Sequence, residues 1–265
     1  MIIILKMLLD SLNFAIKTRR AWSYTATSRT RARFAKTTLG SFWLGFSNLL
    51  SIGTLGVVYG TVFKVSDFRS YFIYLGIGLV IWNTISSSIS NGPQLFAHNA
   101  SNIKSMNLKA IFYTLEEWYF QLQTFVQSFA LVFLVFIFIQ PSLLVNFLLY
   151  SWIPCLNLCI FIYWLPVLVC LISVRFNDFS QLVPSVLQLV FLTSPILYLK
   201  ESLGKLAWIT NINLIYKILD PFRMSIIDGY INYSDSILVL TINLIALIIT
   251  LLLLNRESKR LPFLL

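Results

Sequence analysis

Six long apolar stretches constrain the fold of this chain more than any other feature of its 265-residue sequence. A helix that crosses the hydrocarbon core of a membrane needs about 20 mostly apolar residues. One such stretch could belong to a buried helix of a soluble protein, but six could not. The sequence therefore predicts an all-α polytopic membrane protein with six transmembrane helices per protomer. The predicted spans cover residues 41–63, 71–90, 117–139, 143–173, 180–199 and 236–254, within a transmembrane domain of residues 41–265.

Prolines interrupt two of these stretches. Pro154 and Pro166 lie in the fourth, and Pro184 and Pro195 lie in the fifth. Neighbouring helices can satisfy the carbonyl groups that a proline leaves free inside a membrane. The prolines are therefore expected to kink these spans and not to end them.

The small number of charged residues excludes most other classes of protein. Only 11% of the residues are charged, whereas a soluble domain would carry about 25%. This composition argues against a soluble globular enzyme and against a disordered chain. The charges are nevertheless unequal, with 20 Lys and Arg against 10 Asp and Glu and a net charge of +10.

The basic residues are concentrated on one side of the predicted topology. With six spans, segments 1–40, 91–116, 174–179 and 255–265 share a side, and they hold 14 of the 20 Lys and Arg residues, including Lys6 and Lys259. Cytoplasmic segments carry such an excess, so both termini are predicted to lie in the cytoplasm. The basic surplus then reflects orientation, and no nucleic-acid partner is expected.

The N-terminal segment 1–40 mixes arginines with Phe14, Trp22, Tyr24 and Phe34. This composition favours an amphipathic helix in the membrane interface, in contact with membrane lipids. Arg29, Arg31 and Arg33 alternate and do not share one helical face. A plain basic flank of the first span is the alternative interpretation.

Two further segments between spans are longer than simple turns. The cytoplasmic connector 91–116 can form a short polar helix that presents Ile103 and Met106 to a soluble partner, or it can be a solvated loop. The extracytoplasmic segment 200–233 is too interrupted for a span and too apolar for a solvated loop. Short re-entrant helices, shielded by protein, are predicted there.

Three spans carry a stripe of polar residues along one helical face. Such stripes favour a conduit for a polar, neutral or weakly charged substrate. Hydrogen bonds between helices, worth about 0.6–2 kcal/mol each, are the alternative. The stripes are Asn83, Ser87 and Ser90 in the second span, Glu117, Gln121, Thr124 and Ser128 in the third, and Gln181, Ser185 and Gln188 in the fifth.

The sequence lacks the usual means of powering transport. No Asp, Lys or Arg lies in the middle of a span, which argues against coupling to protons or sodium. The chain also has no phosphate-binding loop of the form GxxxxGK[ST]. Its one histidine and its three cysteines, all within the fourth span, have no metal-site spacing. A transporter of this kind is expected to take its energy from a separate subunit.

Glycines and aromatic residues give weaker signals. Gly53, Gly56 and Gly60 in the first span predict close helix packing. Aromatic rings near the polar stripes could stack on sugar rings, although interfacial anchoring and packing explain most such residues. The candidates for a role in the translocation path are Trp82, Trp118 and Tyr119.

A series of short motifs from about residue 28 to the C-terminus resembles the ABC-2 type permeases of polysaccharide exporters. Each motif is weak alone, but their order and spacing follow the family together with the six spans. They are Arg33-Phe34, Leu39-Gly40, Trp43 and Asn48; Gly78 and Trp82; Val174-Arg175-Phe176-Asn177-Asp178; Ser194-Pro195 with Tyr198; and Asp220-Pro221-Phe222-Arg223 followed by Gly229.

The resemblance implies a homodimer of this chain with two cytoplasmic ATPase subunits, which would bind ATP and magnesium. No cofactor is implied for this chain. The cargo would be a lipid-linked polysaccharide such as O-antigen, capsule or teichoic acid, threaded between the protomers. The N-terminal helix and the connector would contact the ATPase subunits. The residues this implies are Arg31, Arg33, His98, Asn99, Asn102, Ile103, Lys104, Met106 and Lys109.

Other functions remain open at the level of sequence. A permease of the same family could carry a lipid or a drug. A membrane-embedded enzyme or a passive channel is a different class, and an enzyme would normally show clustered His, Asp and Glu residues. The acidic residues outside the spans are scattered here, so no enzymatic activity is predicted. A purely structural membrane subunit is the remaining alternative.

Overall fold

The computed structural model describes residues 2–106, 108–176, 178–258 and 260–261, with side chains from residue 9 onward. Asn177 of the 174–178 motif, Lys259 and the side chain of Lys6 lie outside the described residues. Within those ranges the chain contains helices and turns and no β-strand, which confirms the all-helical prediction.

Thirteen α-helices can be followed through the described part of the chain. They are α1 (Ile2–Lys17), α2 (Arg19–Phe34), α3 (Phe42–Val62), α4 (Phe68–Asn91), α5 (Leu95–His98), α6 (Ala100–Ser105), α7 (Ala110–Ile139), α8 (Ser142–Tyr150), α9 (Trp152–Arg175), α10 (Phe179–Thr193), α11 (Trp208–Ile212), α12 (Leu214–Ile227) and α13 (Tyr233–Glu257). Two 3₁₀ segments, Gly92–Gln94 and Lys200–Ala207, complete the connections.

Five helical segments of the described chain are long and apolar enough to cross a membrane. They are Phe42–Val62, Phe68–His98, Ala110–Ile139, Trp152–Arg175 and Tyr233–Glu257. This finding supports a multi-pass membrane protein.

The fifth predicted span, 180–199, is only partly helical. Helix α10 ends at Thr193 after 15 residues, a length of about 22 Å at 1.5 Å per residue. The hydrocarbon core is about 30 Å thick. Ser194 has φ −92° and ψ 134°, the extended backbone that the following Pro195 imposes on its neighbour. The helix therefore stops short because of the proline.

The fourth predicted span, 143–173, consists of two helices. They meet at Ser151, whose hydroxyl lies 2.9 Å from that of Ser225 in α12. Pro154 lies in the first turn of α9, where a backbone N–H would have no hydrogen-bond partner within the helix. Pro166 lies inside α9 and is tolerated there.

Helix α4 is the centre of the bundle. It is buried on almost every side between Tyr71 and Ile89, as expected of a helix that is apolar all round. Asp67 caps its start by accepting hydrogen bonds from the backbone N–H groups of Arg69 and Ser70. The Ser70 hydroxyl also donates to this carboxylate, which lowers the pKa of Asp67.

The two ends of the bundle can be told apart by their connections. We call the end that carries α2, α5 and α6 the connector face, and the opposite end the far face. Ser11 of α1 donates to Asn255 of α13 at 2.6 Å, so the start of the chain and the end of α13 meet at the connector face.

The segment that follows α9 runs antiparallel to α4 along most of its length. The Phe191 ring contacts that of Trp82 at a tilt of 40°, with the ring centroids 5.3 Å apart. The Tyr74 hydroxyl then donates to the carbonyl of Pro195 at 3.2 Å, and that of Tyr71 to the carbonyl of Leu197 at 2.5 Å. Residues 179–198 thus extend from near the connector face to the far face.

Two close contacts fix α9 within the bundle. Asn157 and Trp164 of α9 both hydrogen-bond Asn243 of α13, at 3.2 and 2.9 Å. At Gly92 an added Cβ would lie 2.7 Å from the carbonyl oxygen of Pro166. Only glycine allows the start of the connector to approach α9 this closely.

Candidate functional site: a polar cavity between α3, α4 and α7

A polar cavity of about 460 Å³ lies between α3, α4 and α7, in the half of the bundle nearer the connector face. The 3.6-residue helical period brings one polar face of each helix to it. The side chains around it are Arg33 of α2; Leu44, Ser47 and Asn48 of α3; Asn83, Thr84, Ser87, Ser90 and Asn91 of α4; and Gln121, Thr124 and Ser128 of α7.

One chain of hydrogen bonds joins the three helices around this cavity. The Nδ2 group of Asn83 donates to Oδ1 of Asn48 at 2.8 Å. The Nδ2 group of Asn48 donates to the hydroxyl of Ser128 at 2.6 Å. Every partner is a side chain, so these bonds can exchange partners without breaking the helical backbone.

A second chain links the cavity to the N-terminal segment. The Ser87 hydroxyl donates to Oε1 of Gln121 at 3.1 Å, and Nε2 of Gln121 donates to Glu117 at 2.8 Å. Nη1 of Arg29 in α2 donates to the other oxygen of Glu117 at 2.5 Å. Glu117 is only 7% exposed, and a buried carboxylate is tolerated when it is paired and hydrogen-bonded.

Helix α2 is held on α7 by further contacts around this ion pair. The Arg29 guanidinium lies 4.2 Å from the centre of the Phe120 ring. Gln123 accepts a hydrogen bond from Thr30 at 2.7 Å and donates to Thr27 at 2.8 Å. The N-terminal helix is therefore fastened to a spanning helix at several points.

The cavity is suited to hydrogen bonding and not to covalent chemistry. Apart from Arg33, the polar groups of its walls are neutral amides and hydroxyls, and its one carboxylate neighbour is compensated by Arg29. Among the residues that the structure describes, no group of three or more His, Cys, Asp or Glu could hold a metal. Such walls match a solute rich in hydroxyl groups.

The predicted stripes of the second and third spans meet in this cavity, and the stripe of the fifth span does not. Asn83, Ser87 and Ser90 face Gln121 and Thr124 across it. The polar residues of α10 lie instead on the exposed surface of the protomer. They are Gln181, Ser185 and Gln188.

The three aromatic residues predicted for the path pack inside the protomer. Trp82 contacts Phe191 of α10. Trp118 donates to the carbonyl of Cys159 at 2.9 Å and lies edge-on to Tyr163. Tyr119 lies edge-on to Trp22 of α2, with centroids 5.6 Å apart. None of the three lines the cavity.

The residues predicted to contact an ATPase are divided between two environments. His98, Asn102, Lys104 and Met106 of the connector are exposed, as is Arg31 of α2. The others make contacts within the protomer. Asn99 donates to the carbonyl of Leu95, and Ile103 packs against the core. Lys109 donates to the carbonyl of Asp10 and lies over the Phe14 ring, whereas Arg33 lines the cavity.

The three glycines of α3 also differ. An added Cβ at Gly56 would lie 2.8 Å from the Phe72 ring, and one at Gly60 would lie 2.8 Å from the Phe68 ring. Gly53 has no such neighbour within 4 Å in the protomer. Two of the glycines thus allow α3 to approach α4, and the third faces outward.

The far face holds a second polar cluster, the arginine cluster, around Arg223 of α12. Arg223 is fully buried, and its Nη1 donates to the carbonyl of Pro195 at 3.0 Å. Its guanidinium forms an ion pair with Asp220 and lies 3.6 Å from the centre of the Tyr74 ring. Ser194 accepts a hydrogen bond from Asn213 at 2.7 Å. The cluster fastens the extended segment after α10 to α4 and α12.

The remaining motif residues, Arg175 and Asp178, lie at the connector face. Arg175 lines a separate cavity between α9 and α13. Asp178 is exposed and directly precedes α10.

The pairing of Arg29 with Glu117 was not predicted. A signal for it exists, because Trp22, Ala26, Arg29 and Arg33 follow the spacing of a single helical face. The alternation of Arg29, Arg31 and Arg33 along the sequence obscures that pattern.

Comparison with known proteins identifies similar transport proteins. No protein-family model matches the chain. Two proteins of Klebsiella pneumoniae named O-antigen export system permease protein RfbA are 24% and 23% identical to it over 242 residues. These alignments cover 87% of this chain and 89% of each relative. Over 87% of its length, this helical membrane protein is therefore similar to two proteins named as permeases of O-antigen export.

Proposed function

We propose that this chain is the membrane-spanning permease subunit of an ABC-2 type exporter, which moves a lipid-linked polysaccharide across the cytoplasmic membrane. The observation that carries the proposal is the similarity to two O-antigen export permeases over 242 residues. The polar cavity supports it, because amides and hydroxyls can exchange hydrogen bonds with a sugar chain.

The proposed topology has six membrane crossings, one of which is only partly helical. Residues 179–198 follow α4 from the connector face to the far face, as α10 and then as an extended segment. The carbonyl groups of Pro195 and Leu197 accept hydrogen bonds from Arg223, Tyr74 and Tyr71. Non-helical backbone within a membrane requires this kind of protein shielding. The excess of basic residues supports a cytoplasmic connector face, and the segment 200–233 would then form the extracytoplasmic re-entrant region.

A homodimer would explain the exposed polar residues of α10. Gln181, Ser185 and Gln188 would be costly to expose to lipid. A second protomer facing α10 would place them in a hydrated channel between the two copies. The outward-facing Gly53 of α3 would offer a second close contact between protomers.

An ATPase subunit would bind the exposed part of the connector face. His98, Asn102, Lys104 and Met106 present a mixed polar and apolar surface there, and Arg31 extends it. ATP and magnesium would be held by that subunit.

The contacts within the protomer offer a route from the ATPase to the cavity. A displacement of α2 would act on Glu117 through Arg29, and then on Gln121 and Ser87. ATP binding can shift the equilibrium between two channel states only through contacts that differ between them. This hydrogen-bonded chain is a candidate for such contacts.

Deletion of the gene followed by complementation tests the proposal. The expected result is loss of surface polysaccharide with accumulation of the lipid-linked polymer inside the cell, and restoration of both by the wild-type chain. Intact surface polysaccharide together with increased drug sensitivity would select a lipid or drug as the cargo instead. Transport by the purified chain without any ATPase would contradict the proposal.

A further inference from the structure

A second cavity, of about 380 Å³, lies between the last turns of α9 and α13 at the connector face. It does not belong to the polar cavity, since none of its residues lines both. Most of its wall is apolar, formed by Leu168, Leu171, Ile172, Val174, Leu253 and Leu261. Arg175, Glu257 and Arg260 complete the wall, together with Phe176.

The charged residues of this cavity leave a positive charge uncompensated. Arg260 lies 3.8 Å from Glu257 in an exposed pair, which contributes little to stability. Arg175 is exposed and has no ion-pair partner among the residues that the structure describes. Two guanidinium groups therefore stand beside one carboxylate at the edge of an apolar cavity.

The cavity has a charged outer part and an apolar inner part, as the positions of these residues along the two helices show. Arg175 is the last residue of α9, and Glu257 is the last residue of α13. Leu168 lies seven residues before Arg175, which is about 10 Å deeper along the helix axis. The cavity thus presents cationic groups at the ends of two spanning helices and aliphatic side chains below them.

We propose that this cavity binds one anionic phospholipid of the surrounding bilayer. The phosphate would lie beside Arg175 and Arg260, since guanidinium groups bind phosphate oxygens in pairs. The upper part of an acyl chain would lie against Leu168, Leu171 and Leu253. Basic pockets between spanning helices on the cytoplasmic side bind such head groups. The bound lipid would tie the end of α13 to that of α9 and would take no part in carrying cargo.

Native mass spectrometry of the purified full-length chain tests the proposal. The probes are phosphatidylglycerol, phosphatidylcholine with the same acyl chains, and inorganic phosphate. We expect phosphatidylglycerol to bind more tightly than phosphatidylcholine, and inorganic phosphate not to displace it. The double variant Arg175→Gln/Arg260→Gln should bind phosphatidylglycerol roughly 30-fold more weakly, since each basic residue near a membrane surface contributes about fivefold.

Arg256→Gln is the matched control. Arg256 is exposed on the same last turn of α13 and does not line the cavity. This variant removes one positive charge, as each single substitution Arg175→Gln or Arg260→Gln does. It should change the affinity by less than about threefold, because its guanidinium lies outside the cavity and is screened by solvent. Losses of equal size in Arg256→Gln and in each single substitution would overturn the proposal, because the effect would then be that of net charge alone. Equal binding of the two lipids by the wild-type chain would overturn it as well.

Photo-crosslinking keeps the proposal falsifiable if the double variant fails to fold. A photoactivatable phosphatidylglycerol should label residues 168–176 and 253–261 of the wild-type chain in membranes. Labelling confined to other segments would contradict the proposal. Lipid bound to the isolated chain but excluded from its complex with an ATPase would also contradict it, because the cavity would then be a protein-docking surface.

Discussion

The polar cavity and the arginine cluster are both polar regions inside an apolar bundle, yet they are built in opposite ways. Around the cavity, Asn48, Asn83 and Ser128 bond only to one another's side chains. In the arginine cluster, Arg223 and two tyrosines bind backbone carbonyls, and Arg223 is wholly buried. Backbone partners fix the position of a segment, whereas side-chain partners can be exchanged for those of a ligand. This difference favours a structural role for the arginine cluster and supports the functional role proposed for the cavity.

The largest expected effect is at Arg223. Arg223→Gln removes the charge that compensates Asp220 and the donor to Pro195, and breaking a buried pair costs about 3–5 kcal/mol. We expect little folded protein in detergent, measured as the monodisperse fraction after size-exclusion chromatography. Arg69→Gln, an exposed arginine on the same face, is the control and should leave that fraction unchanged. A well-folded Arg223→Gln variant would show that the cluster is not needed to hold the far face.

The next effect is at the ion pair between Arg29 and Glu117. Glu117→Gln should lower the free energy of unfolding by about 1–3 kcal/mol, because hydrogen bonds to a charged group are lost. Arg29→Gln combined with Glu117→Gln should be less destabilising than the sum of the single changes, with a coupling of about 0.5–3 kcal/mol. Thermal unfolding of the four proteins measures this coupling. Simple additivity would mean that α2 is not held by this pair.

A smaller effect on stability, with a large effect on export, is expected at Asn48. Asn48→Leu replaces the central amide of the first hydrogen-bonded chain by an apolar group of similar size. Its partner Asn83 is exposed in the protomer and can bond to water instead, so the cost should stay below about 1 kcal/mol. Surface polysaccharide in a complemented deletion strain should nevertheless decrease strongly. Thr241→Leu, at an exposed position on α13, is the control, and an equal decrease there would remove the special role of the cavity.

The smallest effect on the stability of the chain itself is expected at the connector. Lys104→Glu and Met106→Asp change exposed side chains, and such surface changes usually stay within about 0.5 kcal/mol. Both variants should fold normally but retain less of the ATPase subunit during co-purification. Glu201→Lys, an exposed charge reversal in the segment 200–233, should not affect retention. Undiminished retention in both connector variants would place the docking surface elsewhere.

Hydropathy was sufficient to locate the five long apolar helices, because the thickness of a bilayer imposes long apolar runs on the sequence. It could not find the end of α10, since the residues after Thr193 remain apolar and only the Ser194-Pro195 step breaks the helix. Nor could it separate α8 from α9, whose junction at Ser151 depends on a contact with Ser225.

The polar stripes were a partial guide to the candidate site. Helical spacing predicted which residues of α4 and α7 share a face, and those faces meet. The same spacing in α10 could not reveal that its polar face is exposed, because tertiary packing determines whether another helix lies against that face. Helical spacing could not reveal the contact between Arg29 and Glu117 for the same reason, since the two residues are 88 positions apart in the chain.

The short helix α10 has a consequence for the membrane around it. A helix of 15 residues offers lipids about 22 Å of apolar length, several ångströms less than the hydrocarbon thickness of an ordinary bilayer. In the proposed six-crossing topology, the difference would be absorbed by a thinner bilayer beside the protein or by a second copy that keeps lipid away from the segment after Thr193. Bilayer thickness, and with it the acyl-chain length of the host membrane, would then affect the stability of the proposed homodimer.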